Sequence, residues 1–270
     1  MRSTIAIFVI AFAALGLLLG FSESFDTQPE NPVNAAAASV ESRIDAFVAA
    51  MVATSELPQV KSTEFVGSID EAQMGIPEND DVEKREVARQ LLSEHPEFAS
   101  IFFLTPDADI YIGEPFEQQE QLPRLNYADR DWYMGASSTG EPYVSAVFMS
   151  AAIHVPTVAV AVPVSEQDQT VGYWVAIINL ADVESNLDQG FGERILLVDH
   201  NGTEVADTGR TGELSELRSF AGLQSVQAAL SGESGTVIEQ VDGVEMNARF
   251  APIRAHPNMW AIVFLSPAES

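Results

Sequence analysis

Apolar residues at Val40, Ile44, Phe47, Val48, Met51 and Val52 follow the i, i+3, i+4, i+7 spacing of an amphipathic helix, which predicts a helix over Ala35 to Thr54. Leu57-Pro58 ends it, and a loop through Gly75-Ile-Pro77 leads to a second helix over Asp81 to Ser93. The acidic first turn of that helix, Asp80 to Glu83, suits the helix dipole. The two helices are expected to pack against each other. From residue 100 the period changes. Ser100 to Gly113 carries two apolar runs around a Pro-Asp-Ala-Asp turn, a β-hairpin signal. Val144 to Met149, Thr157 to Val164 and Val171 to Leu180 add three strands, the last two joined by the polar turn Ser165 to Thr170. Together they predict a five-stranded antiparallel sheet.

The second half repeats the plan. Arg194 to Asp207 is again strand, Asp/Asn/Gly turn and strand, and Gly232-Glu-Ser-Gly-Thr-Val-Ile-Glu-Gln240 stands where Gly140-Glu-Pro-Tyr-Val-Ser145 stood. Glu245 to Ile253 and Met259 to Leu265 form a closing hairpin, Leu214 to Leu230 reads as helix, and Ala181 to Gln189 as a helical joint. The fold class is therefore α+β: a long N-terminal helix and two related modules in series.

At the start of the chain, Met1-Arg2 precedes an uncharged apolar run from Ile5 to Phe21, long enough as a helix to span ~25 Å at ~1.5 Å per residue. It reads either as a signal peptide, with Gly20-Phe-Ser22 offering a small-x-small cleavage site, or as an uncleaved anchor with Arg2 in the cytoplasm. Both readings put everything after Ser22 outside the cytoplasm. Asp26 to Pro32 reads as a tether. The sequence stops at Pro267-Ala-Glu-Ser270, just after a strand-like run, with no second span or output domain following.

Charge narrows the partners. The net charge is -27, with 13 Lys+Arg in 270 residues and Lys61 and Lys84 the two lysines. Such a surface repels phosphate backbones, so neither nucleic acid nor a polyanionic substrate fits. It is also what keeps a protein soluble in salt, which points to a salt-adapted setting. The absence of cysteine excludes disulfides, thiolate nucleophiles, thiolate metal sites and a lipoprotein anchor.

One stretch stands out against that background. Tyr127-Ala-Asp-Arg-Asp-Trp-Tyr133 gathers two tyrosines, a tryptophan and an arginine. An arginine fork grips a carboxylate in bidentate fashion, and aromatic faces wall off the apolar part of a small molecule. Either this is a ligand cage, or Arg130 pairs with Asp129 or Asp131 while Trp132 and Tyr133 fill a core; residue types leave both open. Tyr143 and Ser145 read as rim residues, and Tyr143 equally as core. His154, at the start of the Val155 to Val164 run, either faces the pocket or caps a loop.

Catalysis finds little support. His95, His154, His200 and His256 are scattered without ligand spacing, and no Gly-x-Ser-x-Gly elbow or phosphate loop occurs. No metal or cofactor is expected.

The ordered series of Arg130-Asp-Trp-Tyr133, Thr139-Gly-Glu-Pro-Tyr-Val-Ser145, Pro156 to Val164, Leu197-Val-Asp-His-Asn-Gly202 and Leu230-Ser-Gly-Glu-Ser-Gly-Thr236, behind a long leading helix, resembles the double Cache sensor domains. These are extracytoplasmic ligand-binding regions of chemoreceptors and sensor histidine kinases. The resemblance covers roughly Ala35 to Pro267 and implies two PAS-like modules: a membrane-distal one at 60–185 that holds the ligand and a membrane-proximal one at 186–267. Residues 1–22 would be the signal peptide or anchor, 23–34 the tether and 35–59 the long helix. In the amino-acid-binding branch, residues at the places of Tyr127, Arg130, Trp132 and Tyr133 hold the ligand carboxylate and close the cage. That branch also places acidic residues on later strands for the ligand ammonium. This chain departs there: one such place falls in Gly172-Tyr-Trp-Val-Ala-Ile177 and the other near Phe148 to Ser150, and neither carries a carboxylate.

An ammonium taken from water into a closed pocket without a countercharge costs several kcal/mol. The resemblance with this departure therefore implies a small carboxylate-bearing ligand, or another anionic or neutral one, without a primary amine, with Ile177 and Trp174 or Phe148 as its apolar surroundings. The expected partners are that ligand and either a membrane-bound signalling protein or a second copy met through the leading helix. A freestanding secreted or anchored solute-binding or scaffold protein is the alternative, and a hydrolase the remoter one.

Overall fold

The computed structural model describes residues 32–62, 69–187, 193–210 and 216–268. The segment 1–22 and most of the expected tether lie outside these residues.

The leading helix α1 runs over Pro32–Ser55 and so takes in the end of the expected tether, with Pro32 in its first turn, where a missing backbone N–H breaks no helical bond. It is followed by one turn, α2 (Pro58–Lys61), and by α3 (Val82–Glu94). Then come β1 (Phe98–Leu104), β2 (Ile110–Glu114), α4 (Phe116–Glu120), α5 (Asp131–Thr139), β3 (Tyr143–Val144), β4 (Phe148–Met149), β5 (Pro156–Glu166), β6 (Gln169–Asn179) and α6 (Leu180–Leu187). The second half supplies β7 (Arg194–Val198), β8 (Glu204–Asp207), α7 (Gln224–Leu230), β9 (Gly235–Val241), β10 (Val244–Ala255) and β11 (Asn258–Pro267).

All strand pairings are antiparallel. The first sheet has the order β2-β1-β6-β5-β3, with β4 also on β5, and the second β8-β7-β11-β10-β9. Substituting β7, β8, β9, β10 and β11 for β1, β2, β3, β5 and β6 converts one order into the other. The repeat read from the sequence is thus a repeat of topology, and the fold is the mixed α+β, PAS-like double sheet.

Alternation along the strands sorts the core into layers. On β6, Trp174, Ala176 and Ile178 face α1 within the main core, while Tyr173, Val175 and Ile177 belong to a separate cluster on the other face. The neighbouring strands keep step: Ile101 and Phe103 of β1 with Val158, Val160 and Val162 of β5 on the first side, Phe102, Leu104, Ala159 and Ala161 on the second. α1 buries Ile44, Phe47, Val48 and Met51 and lies against β5 and β6 of the first sheet and β10 and β11 of the second. Each such side chain contributes about 1.5–3 kcal/mol by leaving water. Thr54 receives the Trp174 indole N–H at 3.1 Å, fixing the helix end to β6.

Four sequence expectations change. α1 and α3 do not form a helix pair: α3 packs on β1 and β2, and the link to α1 is Phe47 against His95 and Phe98. Residues 144–149 are not one strand. The Ala146 N–H is taken by Asp131 at 2.8 Å and the Val147 N–H by Asp199 at 2.7 Å, so the ladder on β5 breaks between β3 and β4 and the first sheet counts six strands. The β5–β6 turn is two residues, Gln167 and Asp168, both left-handed at φ 51° and 63°, as tight hairpins require, so the strands extend into the expected loop. Residues 216–223 are not helical. The Glu204 N–H bonds Arg218 O at 2.8 Å and the Phe220 N–H bonds Gly202 O at 2.7 Å, which holds this stretch extended beside the β7–β8 turn.

Candidate ligand site

The second face of the first sheet carries a cavity. Its floor is Phe102 and Leu104 of β1, Ile110 of β2, and Val175 and Ile177 of β6. Pairing puts Phe102 opposite Val175 and Leu104 opposite Tyr173, so β1 and β6 present one surface. On β5 the same face carries the small residues Ala159 and Ala161. Tyr127, Arg130 and Trp132 close one side, and Phe148 with Ser150, Ala151 and Ala152 the other. The space, measured to the centre of a water-sized probe, is about 30 Å³, room for roughly two or three waters.

Arg130 stands just before α5, at φ -80° and ψ 139°, with its side chain uninvolved in capping that helix. Its guanidinium lies 5.7 Å from the Tyr127 ring centre and 5.4 Å from that of Phe148, within cation–π range of both. The two neighbouring carboxylates are engaged elsewhere. Asp129 pairs with Arg124, and Asp131 receives the Tyr143 hydroxyl at 3.1 Å and the Ala146 N–H. Among the described residues no Asp or Glu pairs with Arg130, and none lines the cavity. Tyr127 stacks on Trp132 at 6.5 Å between ring centres. Burial raises the Tyr127 phenol pKa against the pull of Arg124 and Arg130, which keeps it a neutral donor. Its buried hydroxyl makes no hydrogen bond of normal geometry, although Arg124 sits over its ring at 4.8 Å.

Of the residues singled out in the sequence, Tyr127, Arg130, Trp132, Phe148 and Ile177 come together around this cavity. Tyr133 stands outside: its hydroxyl donates to Pro106 O at 2.8 Å and its ring meets Tyr173 edge-on at 4.9 Å. Tyr143 is packed core with its hydroxyl on Asp131, and a methyl group on Gly135 would lie 2.3 Å from its ring. Burial raises its pKa too. Ser145 is fully buried, donating to Ala146 O at 2.7 Å and accepting the Ala159 N–H at 2.9 Å, so it ties β3 to β5. His154 is exposed on the loop before β5, at φ 56°. Trp174 points to the opposite face, against α1. The sequence reading missed Phe102, Leu104, Ile110, Leu122, Val175 and the loop Ser150 to Ala152 as cavity residues. Odd–even alternation joined to the hairpin register was the signal for the strand residues.

The corresponding face of the second sheet is filled. α7 covers it, and Phe220, Val226, Ala229 and Phe250 pack over Leu196 and Val263. Beside it three arginines meet three acids: Arg194 holds Asp207 through two bonds of 2.8 and 2.7 Å, and Arg210 holds Glu204 at 2.8 Å. Arg218 lies 3.4 Å from both Glu204 and Asp242.

The family model described as Cache domain matches residues 21–270. The chain belongs to the Cache domain family. Cache domains of this double kind are extracytoplasmic sensor domains of receptors. Similar solved structures agree on the fold. The ligand-binding domain of the Pseudomonas fluorescens chemoreceptor CtaA with L-isoleucine has a TM-score of 0.63 at 13% identity, over 87% of this chain and 89% of that one. The Pseudomonas aeruginosa PctB domain with L-Gln gives 0.62 at 15%, over 86% and 87%. The PctC domain of the same species with GABA gives 0.61 at 14%, over 87% and 95%. A search of curated proteins finds no match. No helix among the described residues of this Cache chain is long and apolar enough to cross a membrane, and no group of His, Cys, Asp or Glu among them is arranged to hold a metal ion.

Proposed function

We propose that this Cache domain senses a small carboxylate-bearing molecule without a primary amine, bound under Arg130 in the first module. The observation that carries the reading is a guanidinium at the cavity edge with no acidic partner among the described residues, facing described walls that hold no acid. A carboxylate gains a charge-assisted, two-pronged contact there, whereas an ammonium meets Ile177 and Phe148. The three structural relatives described above are named as complexes with amine-bearing ligands, and in this reading the apolar wall is what sets this chain's ligand apart. In this reading residues 60–185 form the membrane-distal ligand module and 186–267 the proximal one. Residues 1–22 are a signal peptide or anchor. Ligand occupancy shifts the pose of α1 and so of a membrane-bound partner or a second copy.

Isothermal titration of the full chain with matched pairs tests it, for example butanoate against 2-aminobutanoate. The carboxylate is expected to bind at least about tenfold more tightly than its amino counterpart, and Arg130→Ala to abolish binding. Equal or tighter binding of the amino acid, lost in Arg130→Ala, would keep the site and overturn the ligand class.

A further inference from the structure

A second cavity lies on the opposite face of the first sheet, beneath α1. Val158 and Val160 of β5 and Ile178 of β6 form its floor, and Ile44 and Phe47 of α1 its roof. Trp260 of β11 closes it, so α1, α6 and both sheets meet there. Measured in the same way it is about 70 Å³, more than twice the cavity under Arg130. Protein interiors are close-packed with few voids larger than a water, and apolar ones stay dry and take up apolar guests.

The chemistry of the walls selects the guest. Apart from Ser39 and Arg43 every lining side chain is apolar, and Arg43 is already engaged by Glu97. An anion therefore finds no free countercharge. Two buried donors at the cavity are unmet among the described residues: the Arg43 Nε–H, whose guanidinium meets Glu97 through another nitrogen, and the indole N–H of Trp260, which is 3% exposed, in contrast to that of Trp174, which has Thr54. A buried donor without an acceptor is unfavourable, and a guest that supplies one is favoured over a plain hydrocarbon.

We propose that this cavity binds a small, uncharged aliphatic molecule carrying one carbonyl oxygen, its chain between Ile44 and Val160 and its oxygen accepting from the Trp260 indole N–H. The site is separate from the one under Arg130, with β5 and β6 between them, and it joins α1 to both sheets at once.

The test is fluorine NMR of the full chain labelled with 5-fluorotryptophan, whose three tryptophans give three resonances. Trp260→Phe assigns one of them. Titration with 2-hexanone is expected to move the Trp260 resonance saturably, with hexane binding about tenfold more weakly for lack of the hydrogen bond. Val160→Phe, which fills the cavity, abolishes the shift; should that variant fail to fold, Val40→Phe fills it from the helix side. Arg130→Ala leaves the shift intact. An unsaturable shift, or one that survives in the filled variant, overturns the site; hexane binding as tightly as 2-hexanone overturns the role of the Trp260 N–H.

Discussion

Asp199, in the β7–β8 turn of the second sheet, accepts the Val147 backbone N–H of the first at 2.7 Å, while its other oxygen receives the Asn201 and Thr203 N–H groups at 2.8 Å each. One fully buried carboxylate thus shapes a turn and breaks a strand in the neighbouring module. Asp199→Ala leaves these donors unmet and is expected to lower stability by about 2 kcal/mol, and Asp199→Asn, with one acceptor oxygen left, by about half that. Urea denaturation with an unchanged slope checks it, and faster amide exchange at Val147 locates the loss.

Ile177 occupies the cavity wall on a strand whose other face packs on α1. Ile177→Asp supplies the countercharge the wall lacks. The variant is expected to be several kcal/mol less stable when empty, because the carboxylate is buried unpaired. It is expected to regain stability with an α-amino acid whose ammonium meets it. Thermal unfolding with and without 2-aminobutanoate reads both effects.

The acids at the two ends of β8, Glu204 and Asp207, have opposite pH dependence. Burial raises the Asp207 pKa, but Arg194 overrides it and holds the group below its ordinary 3.8. Its contribution is present above that value and is lost as pH falls from it through the folded pKa. Glu204 is raised above its ordinary 4.5 by burial, which Arg210 and Arg218 do not fully offset. Its contribution is greatest below 4.5 and is lost as pH rises through the folded pKa. Asp207→Asn should flatten the acid limb of the stability profile and lower neutral stability by about 3 kcal/mol. Glu204→Gln should remove the decline on the neutral side. Denaturation midpoints across pH 3 to 7, roughly the span of carboxylate titration, separate the two.

A net charge of -27 repels itself in the folded state, and added salt screens that repulsion over distances of about 8 Å at physiological ionic strength. Thermal stability should therefore rise with sodium chloride. Charge-reversal of exposed acids outside helix first turns, such as Glu166→Lys at the end of β5, should reproduce part of the gain in low salt.

The regular elements were legible because their apolar periods are local: α1, the β1–β2 hairpin and the closing hairpin of the second sheet follow directly. Where the reading failed, a distant group had claimed the backbone. Residues 144–149 have strand composition, but Asp131 and Asp199 take two of their N–H groups. Residues 216–223 continue a helical pattern, but Gly202 and Glu204 pair with them. The candidate site was half legible. Whether a neighbouring acid neutralises Arg130 is a matter of geometry, decided against both by Arg124 drawing Asp129 away and the 143–146 segment occupying Asp131. Trp174, by contrast, was decidable from parity, since it and Ile177 must lie on opposite faces of β6.

α1 rests on β5 and β6 of the first sheet and on β10 and β11 of the second, and Glu41 and Asp45 in its middle hold Arg254 and His256. Neither sheet owns the surface that completes its core, because both borrow it from the same 24-residue helix. Melting should therefore be a single concerted event, with no state in which one sheet stays folded after α1 has detached from the other.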